Sequence, residues 1–286
     1  PSRRRSRASR LLLLPNARIV EADVHDPAAL ESLVAGADAV VSLVGILHSR
    51  SGTPYGPDFA RAHVELPKKI VAACRATGVS RLVHISALGA DANGPSEYQR
   101  SKAAGEAAIR STGADLAWTI LRPSVIFGRE DSFLNLFADL ARAFPVLPLA
   151  GANARFQPVY VEDVAEVVLR CLQDPGAAGQ IFELAGPTVY TLRQLVEYVS
   201  AQVGCPRPIL PLPESLAMLQ AALMELAPQP LMSRDNVRSM RADNIAGGVP
   251  LPFGLRPTAL EAVVPTWLGT NSSRARYYPF RRHARR

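Results

Sequence analysis

Short apolar runs separated by helical patterns limit the folds open to this chain. Continuous runs rich in aliphatic and β-branched residues occupy 38–45, 82–86 and 116–121. Such an unbroken run predicts a strand buried on both faces, which is typical of a parallel sheet. A helical pattern spans 60–77 between the first two runs, and another follows Ser96. The sequence therefore predicts an α/β fold with a doubly wound parallel sheet.

Tyr98 and Lys102 are the most informative pair of side chains. They are four residues apart, so on a helix that begins after Ser96 they lie on one face, one turn from each other. An ammonium group that close favours the phenolate, which makes Tyr98 a candidate proton donor with Lys102 lowering its pKa. Ser86 ends the run before this helix, so its hydroxyl is expected at the same sheet edge. The structural alternative is an exposed helical lysine beside a half-buried tyrosine.

Charge is distributed unevenly along the chain. The 286 residues carry a formal charge of +7 and are 48% apolar, enough for a large core. Acid-free terminal segments hold eleven arginines, namely Arg3, Arg4, Arg5, Arg7, Arg10, Arg274, Arg276, Arg281, Arg282, Arg285 and Arg286. The rest has 21 basic against 25 acidic residues, which argues against nucleic-acid binding by the body of the protein. The basic tail, 269–286, is expected either to be disordered and solvated or to contact phosphate or an anionic membrane.

Cysteine and histidine usage points to neither a disulfide framework nor a metal site. Cys74, Cys171 and Cys205 are odd in number, widely spaced and set among apolar residues, as expected for core thiols in a reducing compartment. The five histidines show no ligand spacing, and no apolar run approaches the ~20 residues of a membrane span. We therefore expect a cytoplasmic protein that is at most peripheral to the inner membrane.

The start of the chain differs from the usual beginning of a dinucleotide-binding fold. Such a fold opens with a strand, a glycine-rich turn and a helix whose N-terminus holds the pyrophosphate. The first residues contain no such unit. Two explanations stay open: the sequence lacks the first β-α-β unit of its fold, or these residues form a natural N-terminal tail.

Several segments resemble the short-chain dehydrogenase/reductase superfamily. The resemblance rests on Ser96-Glu97-Tyr98-Gln99-Arg100-Ser101-Lys102, on Arg122-Pro123-Ser124-Val125-Ile126-Phe127-Gly128 and on 155–165, and it extends over roughly 3–268. It is strongest to the atypical, extended branch, NAD-dependent epimerase/dehydratase-like, that contains the NAD(P)-binding accessory subunit of respiratory complex I and its bacterial homologues. It implies an NAD(P)-binding Rossmann-like domain over 1–150 and a small substrate-side region over 151–268, interleaved with it.

The resemblance also assigns site residues. It implies NADP as cofactor, with NAD as the other possibility, and catalytic roles for Tyr98, Lys102 and Ser86. It implies that Arg3 and Arg4 receive the 2′-phosphate and that Lys102 bonds a ribose. The remaining implied contacts are Asp23 and Val24 to adenine, Leu43, Val44 and Gly45 to the adenosine ribose, and Pro123 and Val125 to nicotinamide. For Asp23 the alternative is a solvated carboxylate at a strand end.

Different classes of function fit this resemblance. The favoured hypothesis is a protein like the complex I accessory subunit, in which the nucleotide is bound mainly for structure or assembly and the partner is a respiratory membrane complex. The alternative is an NADP-dependent oxidoreductase or epimerase/dehydratase, with a quinone-related substrate as one option, and a third is an NADP-sensing regulator. Ser86 is followed by Ala87-Leu88-Gly89, whereas a run of Ser/Thr follows this strand in catalytic members, which weakens the enzymatic hypothesis.

Overall fold

The strands and helices of this computed structural model are described over residues 1–4, 6, 8, 11, 13–228 and 230–269. The tail after Gly269 and three arginines of the N-terminal cluster, Arg5, Arg7 and Arg10, lie outside the described residues. The described strands are β1 Val40–Ser42, β2 Arg81–Ile85, β3 Ala117–Pro123, β4 Ile126–Phe127, β5 Leu147–Ala150, β6 Arg155–Phe156, β7 Val159–Tyr160, β8 Gln180–Leu184, β9 Tyr190–Thr191 and β10 Ile209–Leu212. The described α-helices are α1 Pro27–Val34, α2 Pro57–Phe59, α3 Leu66–Thr77, α4 Glu97–Arg110, α5 Leu134–Ala143, α6 Val161–Gln173, α7 Leu192–Gln202, α8 Glu214–Met224, α9 Arg234–Ser239 and α10 Leu260–Val263.

Four of these strands form a parallel sheet in the order β1-β2-β3-β8. Val41 pairs with Val83, His84 with Ile120 and Leu121 with Phe182. All four strands run in the same direction, so their carboxyl ends meet at one edge. The predicted parallel α/β fold is confirmed.

Helices cover both faces of this sheet. On one face, α1, α3 and α4 pack around a core that includes Leu30, Ile70, Leu82, Ile109 and Ile120. On the other face, α6 packs around a core that includes Val83, Leu121, Val164, Val167 and Cys171. The sheet is therefore doubly wound, as expected.

A third core lies in the later part of the chain. It is built from α5, α7 and α10 and contains Leu134, Leu195, Val199 and Leu260. The main sheet nevertheless takes β8, and one of its covering helices, α6, from beyond residue 150. The two regions are thus interleaved, while the boundary at residue 150 stays a prediction.

Two strands that the sequence predicts, a short one in the segment 18–26 and one in the run 38–45, differ from the structure. Within the described residues the segment 18–26 forms only an isolated bridge, from Glu21 to Ser2. The run 38–45 forms a strand of three residues, β1, whose one partner among the described strands is β2. After Ser42 the backbone leaves the sheet, which exposes the next residues at its carboxyl edge.

The helix predicted over 60–77 begins as a π-helix, Ala60–Glu65, and continues as α3. Pro67 is the second residue of α3, directly after the π-helix, and it offers no N–H to the preceding turn. Gly78 ends α3 in the left-handed conformation, with φ +75°.

Within the described part of the chain, none of the helices is long and apolar enough to cross a bilayer. Cys74, Cys171 and Cys205 are free thiols, and the first two are buried.

Candidate functional site

Helix α4 carries Tyr98 and Lys102 on one face, as the spacing predicted. A capping box fixes its start: the Ser96 hydroxyl accepts a hydrogen bond from the Gln99 N–H, and the Gln99 side chain accepts one from the Ser96 N–H. The Lys102 ammonium lies 5.9 Å from the centroid of the Tyr98 ring. The structure thus brings the two side chains together.

Lys102 lies at the sheet edge, where β1 and β2 end. Its Nζ donates a hydrogen bond to the Ile85 carbonyl at 3.2 Å, and a Cβ placed on Gly45 would lie 3.4 Å from the same atom. The side chain is buried, and burial lowers the pKa of Lys102 to about 8, opposed by the nearby charge of Glu106. An ammonium that lies beside an exposed glycine, here Gly45, is suited to form hydrogen bonds with hydroxyl groups of a ligand.

Tyr98 behaves differently from the sequence-based prediction. Burial raises its pKa to about 12, so the phenol and not the phenolate is favoured, although Lys102 is close. Desolvation is the cause of the shift, and it outweighs the attraction of an ammonium 5.9 Å from the ring centroid. The predicted lowering of the Tyr98 pKa by Lys102 is therefore wrong.

His63 is a member of the site that the sequence did not reveal. Its Nε2 accepts a hydrogen bond from the Ile46 N–H at 3.1 Å, and its Nδ1 lies 2.8 Å from the Ser101 hydroxyl. Since Ser101 donates to the Tyr98 carbonyl, Nδ1 carries the proton and the ring is neutral. Burial and the charge of Lys102 lower the pKa of His63 to about 3. The imidazole therefore ties the segment after Gly45 to the helix of Tyr98.

Aromatic packing reinforces this link. The His63 ring stacks on Phe59 at 5.2 Å and meets the Tyr98 ring edge-on at 5.5 Å. His63 belongs to the π-helix, whose extra residue per turn is not visible in the sequence pattern. A lone histidine in a helical segment gave no other signal.

Ser86 has a partner other than Tyr98. Its hydroxyl donates to the Glu106 carboxylate, which also accepts two hydrogen bonds from the Arg122 guanidinium at 2.9 and 2.6 Å. Within the described residues no hydrogen bond joins Ser86 to Tyr98 or Lys102. The catalytic role of Ser86 stays a prediction that this geometry does not favour. Glu106 follows Tyr98 and Lys102 at the same four-residue spacing, which is the signal that could have identified it.

The residues expected to contact the cofactor lie at or just after the carboxyl ends of β1 and β3. Leu43 and Val44 follow β1 and are 68% and 40% exposed, and Gly45 is exposed beside them. Pro123 ends β3, and Val125 follows it. Exposed apolar side chains that follow the end of a strand provide a surface for a planar ligand.

The residues expected near adenine and the 2′-phosphate lie in the N-terminal part. The bridge of Ser2 to Glu21 brings exposed Arg3 within electrostatic range of Asp23, and Arg4 is exposed next to Arg3 in the chain. Asp23 accepts a hydrogen bond from the His25 N–H, which is the main cause of its lowered pKa. Val24 packs instead on the α1 and α3 core. Whether these four residues contact the cofactor stays a prediction.

Two carboxylates whose roles the sequence did not reveal form hydrogen bonds around the start of α4. Asp235 accepts hydrogen bonds from the N–H groups of Glu97 and Tyr98, at 2.7 and 3.0 Å. The Glu97 side chain accepts from the N–H groups of Gly52 and Gly56, at 3.0 and 2.8 Å. Asp235 lies 137 residues beyond Tyr98, so no local pattern could have linked them.

Comparison with known proteins decides the family. Residues 2–175 match the family model described as NAD(P)H-binding. The chain belongs to this family. The NAD(P)H-binding chain is 34% identical over 251 residues to the NADH dehydrogenase [ubiquinone] 1 alpha subcomplex subunit 9, mitochondrial, of Mus musculus, an alignment that covers 85% of the chain. The chain spans 64% of that relative's length.

Two solved structures share the fold of this NAD(P)H-binding protein. The NADPH-dependent quinone oxidoreductase QOR2 of Escherichia coli, complexed with NADPH, has a TM-score of 0.69 and 22% identity, covering 92% of this chain and 87% of its own. The dTDP-glucose 4,6-dehydratase DesIV of Streptomyces venezuelae, with NAD and TYD bound, also has a TM-score of 0.69, with 19% identity, covering 96% of this chain and 86% of its own. The resemblance to the short-chain dehydrogenase/reductase superfamily and to the complex I subunit is thus confirmed, as is NAD(P) binding.

The residues of the NAD(P)H-binding chain fit a nicotinamide dinucleotide at the sheet edge. The buried ammonium of Lys102 lies there beside the exposed residues Leu43, Val44 and Gly45. No group of three or more potential metal ligands occurs in the residues that the structure describes.

Proposed function

We propose that this protein binds its dinucleotide mainly for structure or assembly, as part of or in association with a respiratory membrane complex. The observation that carries the proposal is the state of the Tyr98–Lys102 pair. Lys102 donates to the Ile85 carbonyl, and the pKa of Tyr98 is raised to about 12. Neither feature prepares a proton donor for turnover near neutral pH, because catalytic pKa values lie near the working pH. The Ser86 hydroxyl is also already bonded to Glu106.

The partner is proposed from sequence similarity. The relative at 34% identity is named as a subunit of NADH dehydrogenase [ubiquinone]. On the basis of this similarity, the protein is proposed to be cytoplasmic and to associate with the inner membrane through such a complex.

The dinucleotide would be held by the chain's own residues at the carboxyl ends of β1 to β3. Lys102 bonds ribose hydroxyl groups, Leu43, Val44 and Gly45 contact the adenosine side, and Pro123 and Val125 flank the nicotinamide. When bound, this group could supply a hydride. The bound dinucleotide would have a structural role, because it would connect α4 with two strand ends.

Comparing Tyr98→Phe with Lys102→Ala tests this proposal in the full-length protein. Lys102→Ala is expected to lower NADPH occupancy at least tenfold and to reduce the melting temperature of the NADPH-loaded protein, because the bonding ammonium is lost. Tyr98→Phe keeps the ring and should leave both nearly unchanged. Nucleotide content after gel filtration and thermal melts are the measurements.

The second candidate is an NADP-dependent oxidoreductase or epimerase/dehydratase. It is favoured by one observation: Tyr98 and Lys102 share one face of α4, with the ammonium 5.9 Å from the centroid of the Tyr98 ring. This candidate predicts NADPH oxidation with quinones or short aldehydes, and its loss in Tyr98→Phe while NADPH stays bound. That pattern would overturn the structural role.

We also propose NADP rather than NAD as the ligand. Arg3 and Arg4 are both exposed, and Arg3 interacts electrostatically with Asp23, which is expected near the adenine. A guanidinium pairs bidentately with a phosphate dianion. Competition between NADPH and NADH, in the protein and in an Arg3→Ala/Arg4→Ala variant, tests the assignment.

A further inference from the structure

Helix α8 presents an unusual apolar face to solvent. On it and in the turn after it stand four leucines that are each at least half exposed, here called the leucine stripe: Leu216, Leu219, Leu223 and Leu226. The opposite face buries Ala217 and Ala221 in a small core with Ala150 and Val237. The helix is therefore already packed on one side and still strongly apolar on the other.

The spacing of the stripe is that of a helix-packing seam. The intervals between the four leucines are three, four and three residues. This is the a-d-a-d pattern of a heptad, in which each side chain fits between those of a facing helix. Scattered exposed leucines are ordinary, whereas a contiguous row of this kind marks an interaction surface.

Charge excludes attraction to an anionic membrane. Between residues 208 and 233 the only charged side chains are Glu214 and Glu225. Each is ion-paired within the protein, Glu214 with Arg241 and Glu225 with Arg234. A helix that lies on a membrane carries Lys and Arg on its polar face, and α8 has none. An uncharged protein surface is the better match.

Size argues against a second copy of the chain. Four half-exposed leucines offer on the order of 400 Å², about half of the ~800 Å² that each partner buries in a standard interface. The stripe alone is thus too small for a stable symmetric dimer. It suits one anchor within a larger contact to a different protein.

The stripe is also connected to the nucleotide site. Helix α8 packs on α9, whose Asp235 accepts hydrogen bonds from the first turn of α4. In addition, the Asn236 side chain donates to the carbonyl of Leu47, in the loop after Gly45. A protein seated on α8 would therefore rest on the element that holds the helix of Tyr98.

We propose that the leucine stripe is the surface through which this protein docks an uncharged apolar helix of a respiratory membrane complex. This inference rests on the proposed function and assigns it a contact surface. The partner helix is expected to carry its own row of apolar side chains at heptad spacing and few charges.

The test compares Leu219→Gln/Leu223→Gln with Leu169→Gln in the full-length protein, expressed in its source organism. Leu169 lies on α6 and is 53% exposed, so it controls for the loss of a surface leucine. Migration with NADH:ubiquinone oxidoreductase on native gels of membranes is the readout. The double variant should lose at least tenfold of the co-migrating protein, whereas Leu169→Gln and the wild type should co-migrate alike. Melting temperature and NADPH content of the purified variants should be unchanged, because the substituted side chains face solvent.

Several outcomes would overturn the inference, and they can be told apart. If the wild type co-migrates and the double variant does so equally, the surface is wrong while the proposed function stands. If the wild type never co-migrates, the proposed function fails and the inference with it. A wild-type dimer in sedimentation that the double variant loses would identify a second copy as occupant. Flotation with phosphatidylethanolamine–phosphatidylglycerol vesicles, lost in the double variant, would identify the bilayer.

Discussion

At the scale of single residues, the buried ammonium of Lys102 destabilises the folded protein when no nucleotide is bound. Its pKa is lowered from 10.5 to about 8, mainly by burial, so below about pH 8 the folded state holds a charge that it disfavours. Between about pH 8 and 10.5 the unfolded chain binds more protons, and the stability contributed by this residue rises with pH. Lys102→Met should therefore stabilise the nucleotide-free protein at pH 7 by up to about 3 kcal/mol.

Urea denaturation at pH 7 and well above pH 10.5 measures this effect. The advantage of Lys102→Met should be largest at pH 7 and nearly absent at the higher pH, where the amine is neutral in both states. Lys68→Met, at an exposed site of α3, is the control and should change little. Equal stability of Lys102→Met and wild type at pH 7 would show that the ammonium is better solvated than its burial indicates.

The sequence predicted some site residues and missed others for physical reasons. Tyr98 and Lys102 were found because both lie on one helix, where spacing determines proximity. His63 and Asp235 reach α4 from other elements, 38 and 137 residues away along the chain. Ser86 was placed at the correct edge, but its bond to buried Glu106 depends on the packing of α4 against the sheet.

At the scale of elements, one carboxylate joins two helix starts. Asp235 lies in the first turn of α9 and accepts hydrogen bonds from the first turn of α4. Both helix dipoles direct their positive ends toward this side chain, which belongs to a residue that is only 9% exposed. Asp235→Asn should cost about 1–3 kcal/mol, since one N–H loses its acceptor.

The same substitution should weaken NADPH binding about fivefold or more under conditions where the variant is fully folded. The reason is that Asp235 fixes the start of α4, the helix that carries Tyr98 and Lys102. Isothermal titration and urea denaturation are the measurements. Asp243→Asn is the matched control, since Asp243 pairs with Arg155 at a more exposed site. Unchanged NADPH affinity in Asp235→Asn would reduce Asp235 to a stability role.

Element boundaries were predictable where local chemistry sets them. The Ser96 cap of α4 appears as expected, and side chains of the same kind cap α1 and α7, Asp26 and Thr191 respectively. The segment 18–26 was not predictable, because strand formation depends on a neighbour that the segment itself does not encode. The π-helix was missed for a similar reason, as its hydrogen bonds leave no period in the sequence.

At the scale of the whole molecule, the dinucleotide should act as a stabilising ligand. A ligand that binds only the folded state adds about 2.7 kcal/mol at a hundredfold excess over Kd. We expect the melting temperature to rise with NADPH concentration, and to rise less with NADH. In Arg3→Ala/Arg4→Ala the two cofactors should give equal shifts. Equal shifts already in the wild type would remove the assignment of the 2′-phosphate to these arginines.

The contact of Asp235 with α4 also has a consequence for the order in which the protein is made. A chain is synthesised from its N-terminus, so the Tyr98 helix emerges from the ribosome long before the residue that completes its cap. Until α9 has emerged, two N–H groups at the start of α4 depend on water. The nucleotide site therefore matures late, and loading with NADPH would distinguish finished molecules from interrupted ones.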